Sequence, residues 1–102
     1  MIQAARFYQI VWRPKAEEDL VKIIDYIALD SPVRAEAFGY ELRDKVNPLL
    51  KYPEMGRIGR PGLPAYVREL VIHRNYIVFY RVRESEAIVE ILRLKHVAQR
   101  MP

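Results

Sequence analysis

The last third of the chain contains three sheet-like runs joined by two very short connections. The runs are about Val67 to His73 (VRELVIH), Tyr76 to Val82 (YIVFYRV) and Ala87 to Lys95 (AIVEILRLK). All are rich in β-branched and aromatic residues, the composition that suits a pleated, half-buried surface. Arg74-Asn75 separates the first two, and Arg83 to Glu86 separates the second from the third. A parallel pair would need a crossover of roughly a dozen residues or more. These connections are too short for that, so the three runs must be antiparallel neighbours in a meander. The rest of the chain has to cover that meander.

Upstream, Phe7 to Trp12 (FYQIVW) reads as a further strand. Pro14 follows at a position favoured for the first turn of a helix. Glu17, Glu18 and Asp19 come next, where acids suit the positive end of the helix dipole. Apolar residues recur at Ala16, Leu20, Ile23, Ile24, Ile27 and Ala28, the spacing of one buried helical stripe. Arg13 is a poor N-cap. Asp30-Ser31-Pro32 then reads as a junction, with Ser31 capping a second helix and Pro32 in its first turn. Ala35, Phe38, Leu42, Val46 and Leu49 continue at helical intervals. Gly39 weakens this helix mildly, and Pro48 should end its regular hydrogen bonding near Asp44. Pro53 to Pro64 (PEMGRIGRPGLP) holds three of the four glycines and three of the seven prolines, and reads as a loop.

The order is therefore β-α-α-β-β-β: an α+β domain with a helical hairpin on one face of an antiparallel sheet. The first strand takes an edge. A chain of 102 residues, 51% of them apolar, suits one domain spanning 1–102. No cysteine is present, which removes disulfides, thiolate metal sites and thiol catalysis. The N-terminal stretch lacks the apolar run of a signal peptide, so a soluble, cytoplasmic protein is expected. His73 and His96, on separate strands, do not have the spacing of a metal site. Ser31 is a cap, Ser85 lies in a turn, and "GRIGRPG" precedes a strand rather than a helix. Neither metal nor cofactor is expected.

Lys and Arg outnumber Asp and Glu 17 to 13. A basic domain suits an anionic or acidic partner, though mild basicity alone is common. Much of the charge sits on the strands. Arg68, Leu70, Ile72 and Arg74 share one face of an extended strand, and Val67, Glu69, Val71 and His73 the other. In the last strand, Leu92 and Leu94 alternate with Ile91, Arg93 and Lys95. The face turned from the helices should therefore mix apolar surface with Arg81, Arg93 and Arg68. A strand arginine ordinarily pairs with a nearby acid such as Glu69 or Glu90, or lays its stem over an aromatic ring. As a set, the arginines also suit a partner segment carrying apolar anchors and acids.

The order and several local motifs resemble the RelE/ParE superfamily of bacterial toxin–antitoxin modules. The motifs are "PKAEEDLVKIIDYI", "LLKYPEMGR" with Gly56-Arg57, "VREL", "YIVFYRV" and "IVEILRLKH" ending at His96. The resemblance spans about Tyr8 to His96. It implies one of two activities. ParE-like members poison DNA gyrase by trapping it on cleaved DNA; RelE-like members cut messenger RNA on the ribosome. Metal-free RNA cleavage needs a base, a cation for the phosphorane and an acid. Arg68 matches the first basic strand position of the RelE-like pattern, but Leu70 and Ile72 follow it, and the tail "HVAQRMP" has no tyrosine. The favoured expectation is thus a ParE-like gyrase poison, not itself an enzyme, neutralised by a ParD-like antitoxin. Arg68, Tyr80, Arg81 and Arg93 are the expected antitoxin contacts. Arg57, Arg60, Lys95, His96 and Arg100 are the expected contacts to gyrase and its DNA. The alternative is a metal-independent endoribonuclease using Arg68, Arg81 and His96.

Overall fold

The computed structural model describes residues 7–98. Its elements are β1 (Gln9–Trp12), α1 (Pro14–Ala28), α2 (Pro32–Asp44), a 3-10 turn (Asn47–Leu50), β2 (Arg57–Ile58), β3 (Val67–His73), β4 (Tyr76–Arg83), a second 3-10 turn (Glu84–Glu86) and β5 (Ile88–His96). The sheet order is β1-β5-β4-β3-β2. β2 to β5 are antiparallel throughout, while β1 joins β5 in parallel, so the sheet is mixed. Arg100 lies outside the described residues.

The helices begin where the sequence places them. Pro14 opens α1 without any side-chain cap, as the poor capping chemistry of Arg13 implies. Ser31 caps α2 by accepting from the Arg34 N–H at 3.3 Å, with Pro32 in the first turn. Gly39 has a role beyond weakening α2: a Cβ there would lie 2.6 Å from Ile24 Cδ1, so its absence lets the helices close up. Arg43 binds both oxygens of Glu17 at 2.8 Å and lies 4.9 Å over the Trp12 ring, tying the end of α2 to α1 and β1. The 3-10 turn after Pro48 continues the buried stripe to Leu49.

The main core lies between the hairpin and one sheet face. It includes Ala16, Leu20, Leu42, Val46, Leu49, Ile72, Val78, Tyr80, Val89, Ile91 and Leu94. Two register shifts correct the simple alternation expected above. In β5, Tyr80 faces Ile91 while Phe79 faces Arg93, so Leu92 is the extra residue of a bulge. Ile91 and Leu94 therefore both reach the core, and Leu92 packs on the opposite face. The shift between Val71 and His73 likewise brings His73 against Phe38 of α2, with ring centroids 5.2 Å apart.

The expected loop also contains a strand. Arg57 and Ile58 pair with Glu69 and Arg68. Gly56, just before them, is held by the Tyr80 hydroxyl, which accepts from its N–H at 2.9 Å and donates to the Pro53 carbonyl at 2.7 Å. A Cβ at Gly56 would lie 2.6 Å from that hydroxyl and 2.7 Å from the Glu69 carbonyl. Gly56→Ala is expected to destabilise the fold by about 1–3 kcal/mol, because both neighbours are fixed by packing. A fall in the denaturant midpoint at unchanged slope checks this; an unchanged midpoint refutes it.

Candidate functional site

Away from the helices, Val67, Ile77 and Phe79 form a smaller buried cluster with Leu63 and Leu92 packed against it. Glu69 is buried beside them, only 3% exposed. A lone carboxylate there would lose its hydration at a cost of several kcal/mol. Two arginines compensate. Arg57 donates from Nε and Nη2 to Oε1 at 3.0 and 2.7 Å. Arg60 donates from Nε to Oε2 at 3.1 Å and from Nη2 to Oε1 at 3.0 Å, and its guanidinium lies 5.5 Å over the Phe79 ring. The Arg60 hydrogen bonds, seconded by those of Arg57, outweigh burial and hold the Glu69 carboxyl down at about 2. The same bonding raises the Arg60 guanidinium.

A second carboxylate, Glu90, is shared more loosely. Arg13, Arg81 and Arg83 approach it at 3.5, 3.4 and 3.5 Å. Arg81 also covers the Tyr66 ring at 4.4 Å. Further along β5 the neighbouring strand β1 has ended, and Asp19 of α1 serves the open edge. It accepts the Leu94 N–H at 2.9 Å and a two-fold bond from Arg93 at 2.8 and 3.0 Å. Burial works to raise the Asp19 carboxyl, but these bonds prevail and lower it.

The expected antitoxin contacts do not share a surface. Tyr80 is fully buried in the main core and binds the Pro53–Gly56 turn, so it is not available to a partner. Arg68 lies on the helix-facing side and donates to the Gly56 carbonyl at 2.8 Å. Arg93 is engaged with Asp19. Arg81 is the member on the face turned from the helices. Among the expected target contacts, Arg57 and Arg60 stand together, whereas Lys95 and His96 lie opposite Ile77 and Tyr76 at the other end of the sheet. The pairing of the strand arginine Arg81 with Glu90 follows from the sequence, whereas Glu69 takes its partners, Arg57 and Arg60, from the segment expected to be a loop. The parts played by Arg13 and Asp19 do not follow from the sequence, because the pairs they make join elements far apart in the chain.

That other end carries a run of rings. Phe38, His73, Tyr76 and His96 succeed one another at 5.1–5.8 Å, with Tyr76 between the two histidines. A groove of about 260 Å³ lies on one side of Tyr76, lined by Asp19, Lys22, Tyr26 and His96 among others. His96 Nδ1 accepts the Ala98 N–H at 3.0 Å. Among the described residues, no group of His, Asp and Glu is arranged to hold a metal, and no helix is long and apolar enough to cross a membrane.

Residues 10–101 match the family described as ParE toxin of the type II toxin–antitoxin system parDE. The chain belongs to the ParE toxin family. It is 36% identical over 91 residues to toxin RelE2 of Caulobacter vibrioides, covering 89% of this chain and 97% of that relative. Its fold is similar to the chromosomal ParDE system of P. aeruginosa, with a TM-score of 0.73 and 30% identity over 89% of this chain and 97% of that one. The toxin–antitoxin complex RelBE2 of Mycobacterium tuberculosis shares the fold at a TM-score of 0.68 and 22% identity, over 96% and 100% of the two chains. This ParE-family chain therefore has the architecture of a type II toxin, with its charged side chains arranged as above.

The Glu69 clamp predicts an acid limit. A carboxylate at about 2 when folded and 4.5 as its reference stabilises the fold fully above pH 4.5 and progressively less as pH falls to 2. The loss should amount to about 2–3 kcal/mol. In Glu69→Gln the pH dependence of the denaturant midpoint should flatten in that window. An equally steep profile in the variant would assign the acid sensitivity to other carboxylates.

Proposed function

We propose that this chain acts as a ParE-like toxin: it binds DNA gyrase on its DNA, stabilises the cleaved complex, and is neutralised by a ParD-like antitoxin. The observation that carries this reading over RNA cleavage is the separation of the nuclease candidates. Arg68 lies opposite Tyr80, and His96 lies opposite Tyr76. Along β4 that is four residues, or about 13 Å. Arg81 belongs to the opposite sheet face, against Glu90 and Tyr66. A base, a cation and an acid acting on one phosphate must lie within a few ångströms of it. These three do not converge, whereas a poison needs only a complementary surface.

The test is a supercoiling assay with purified toxin and gyrase, resolving relaxed, supercoiled and linear DNA. Linear DNA should accumulate once the enzyme is denatured. Undisturbed supercoiling at excess folded toxin would sink the reading.

The antitoxin is expected to bring an acidic segment to the face bearing Arg81, which is placed beside the exposed Tyr66 ring. Arg81→Ala should weaken the complex about threefold to tenfold by titration calorimetry. Unchanged affinity would move the contact elsewhere.

One observation favours a second reading. His96, Tyr76, Tyr26 and Lys22 line a common groove, a set with acid–base capacity of its own. If translating ribosomes rather than gyrase prove to be the target, His96→Ala should abolish toxicity while leaving antitoxin binding intact. Full toxicity in that variant would exclude His96 as the catalytic group.

A further inference from the structure

The clamp around Glu69 has an outward side. Arg57 and Arg60 each use Nε and Nη2 on the carboxylate, and the Nη1 groups take no part. One buried negative charge thus holds two guanidiniums side by side, leaving a net positive charge at the lip of the sheet. Arg57 is 74% exposed at its side chain, and Arg60 35%. Both are restrained from below: by Glu69, by pairing of Arg57 with β3, and by the Phe79 ring under Arg60. The segment Arg57 to Arg68 (RIGRPGLPAYVR) contains three arginines and no acid.

We propose that Arg57 and Arg60, positioned by the buried Glu69, form a preorganised binding site for the phosphodiester backbone of nucleic acid. The proposal deepens the gyrase–DNA reading and rests on it for its biological setting, but its chemistry is independent of gyrase. Planar guanidinium forks match phosphate oxygens, and fixing them beforehand lowers the entropy cost of binding. Glu69 acts as a positioning residue, as an outer-shell carboxylate orients a metal ligand. An acidic peptide is the weaker candidate. Peptide recognition draws on apolar anchors buried in grooves, and the grooves about Tyr76 and about Tyr52 are lined by neither arginine. Nucleic-acid binding needs no such groove, because phosphate contacts supply most of its affinity.

The test measures binding of labelled duplex DNA and of single-stranded RNA to the purified chain, by fluorescence anisotropy over a range of salt. Arg57→Ala and Arg60→Ala should each reduce the salt slope by about one. The double variant Arg57→Lys/Arg60→Lys keeps the charge but loses the forks, and should bind about tenfold more weakly. Glu69→Gln raises the net charge by one, so non-specific attraction alone would tighten binding; the proposal requires it to weaken. Circular dichroism verifies the fold of each variant. If Glu69→Gln does not fold, the lysine pair, which keeps both positive charges beside Glu69, decides. Wild-type affinity in the lysine pair overturns the proposal, as does tighter binding by folded Glu69→Gln. So does displacement of DNA by poly-glutamate as effective, per charge, as by unlabelled DNA. Arginine-dependent binding of DNA supports the site, with duplex as its source. Arginine-dependent binding of RNA alone also supports it, while counting against the gyrase setting. Arginine-dependent DNA binding beside a negative supercoiling assay leaves the site standing and removes the gyrase reading.

Discussion

The buried carboxylate of Glu69 sets the conditions for much of this molecule. Glu69 sits on a central strand beside Val67, Ile77 and Phe79, where solvent cannot reach it. Such a charge is tolerated only with hydrogen-bonding partners of opposite sign. The partners come from a segment rich in glycine and proline that has little tendency to order itself. Binding Glu69 draws Arg57 into register with β3 and turns a loop into a sheet edge. Tyr80 performs the matching task from the other face, holding the turn at Pro53 and Gly56 with its hydroxyl. The strand β2 thus exists because of two buried polar groups, one on each side of the sheet.

The same logic runs through the rest of the charge. Glu17 takes Arg43, Asp19 takes Arg93, and Glu90 takes Arg13, Arg81 and Arg83. Most strand arginines are therefore structural. They join β5 to α1 and β1 to β4, and Arg81 also lays its guanidinium over the Tyr66 ring. The excess of base over acid is not spread evenly through these pairs. It gathers where two or three arginines share one acid, at Glu69 and at Glu90. The Glu69 pairing is short and saturated. The Glu90 pairing is longer, and the Arg81 Nε there is buried without a hydrogen bond. Of the two, Glu69 is the one that fixes its arginines in a definite geometry.

The helices and the meander were legible because their signals are local. Pro14, Ser31-Pro32 and Pro48 mark helix ends by covalent and hydrogen-bonding constraints that act within a turn. Arg74-Asn75 makes strands neighbours by brevity alone. The bulge at Leu92 was not legible. A period-two pattern assigns Ile91 and Leu94 to opposite faces, and only packing against Leu20 and the hairpin brings both inside. β2 was hidden for a similar reason: Arg57 and Ile58 pair with Glu69 and Arg68 across a long loop, and its own composition argues for a loop. The ion pairs were legible in kind but not in direction. Asp19 and Arg93 are 74 residues apart, and nothing short of the fold brings them together. For the candidate site this meant that Arg57 and Arg60 could be named from the loop's basic composition. Glu69, which gives the pair its geometry, could be named only as a general partner for arginine. Tyr80 was misplaced, because which face of β4 meets the helices is set by the fold, and its hydroxyl serves a turn that no local pattern reveals.

Strand β4 divides the molecule into two chemical ends. At Tyr80 the sheet is locked: the hydroxyl is buried, burial raises it above the usual tyrosine range, and the surrounding turn is strapped down. At Tyr76 the sheet is open, with histidines on both sides and grooves beneath the hairpin. The closed end presents paired guanidiniums, and the open end presents histidine and tyrosine rings. A rigid array of cations suits recognition of an anionic polymer without chemistry, since it stabilises what it binds and changes nothing. Titratable rings suit proton transfer, but only where a cation attends the same phosphate. Arg57 and Arg60 stand at the Glu69 end of the sheet, whereas the cations near those rings are Lys22, which lines their groove, and Arg93, held by Asp19 of the same groove. On the proposed reading, the clamp at Glu69 supplies the contact to a nucleic-acid backbone, and the rings about Tyr76 form a separate site whose chemistry would depend on Lys22 and Arg93.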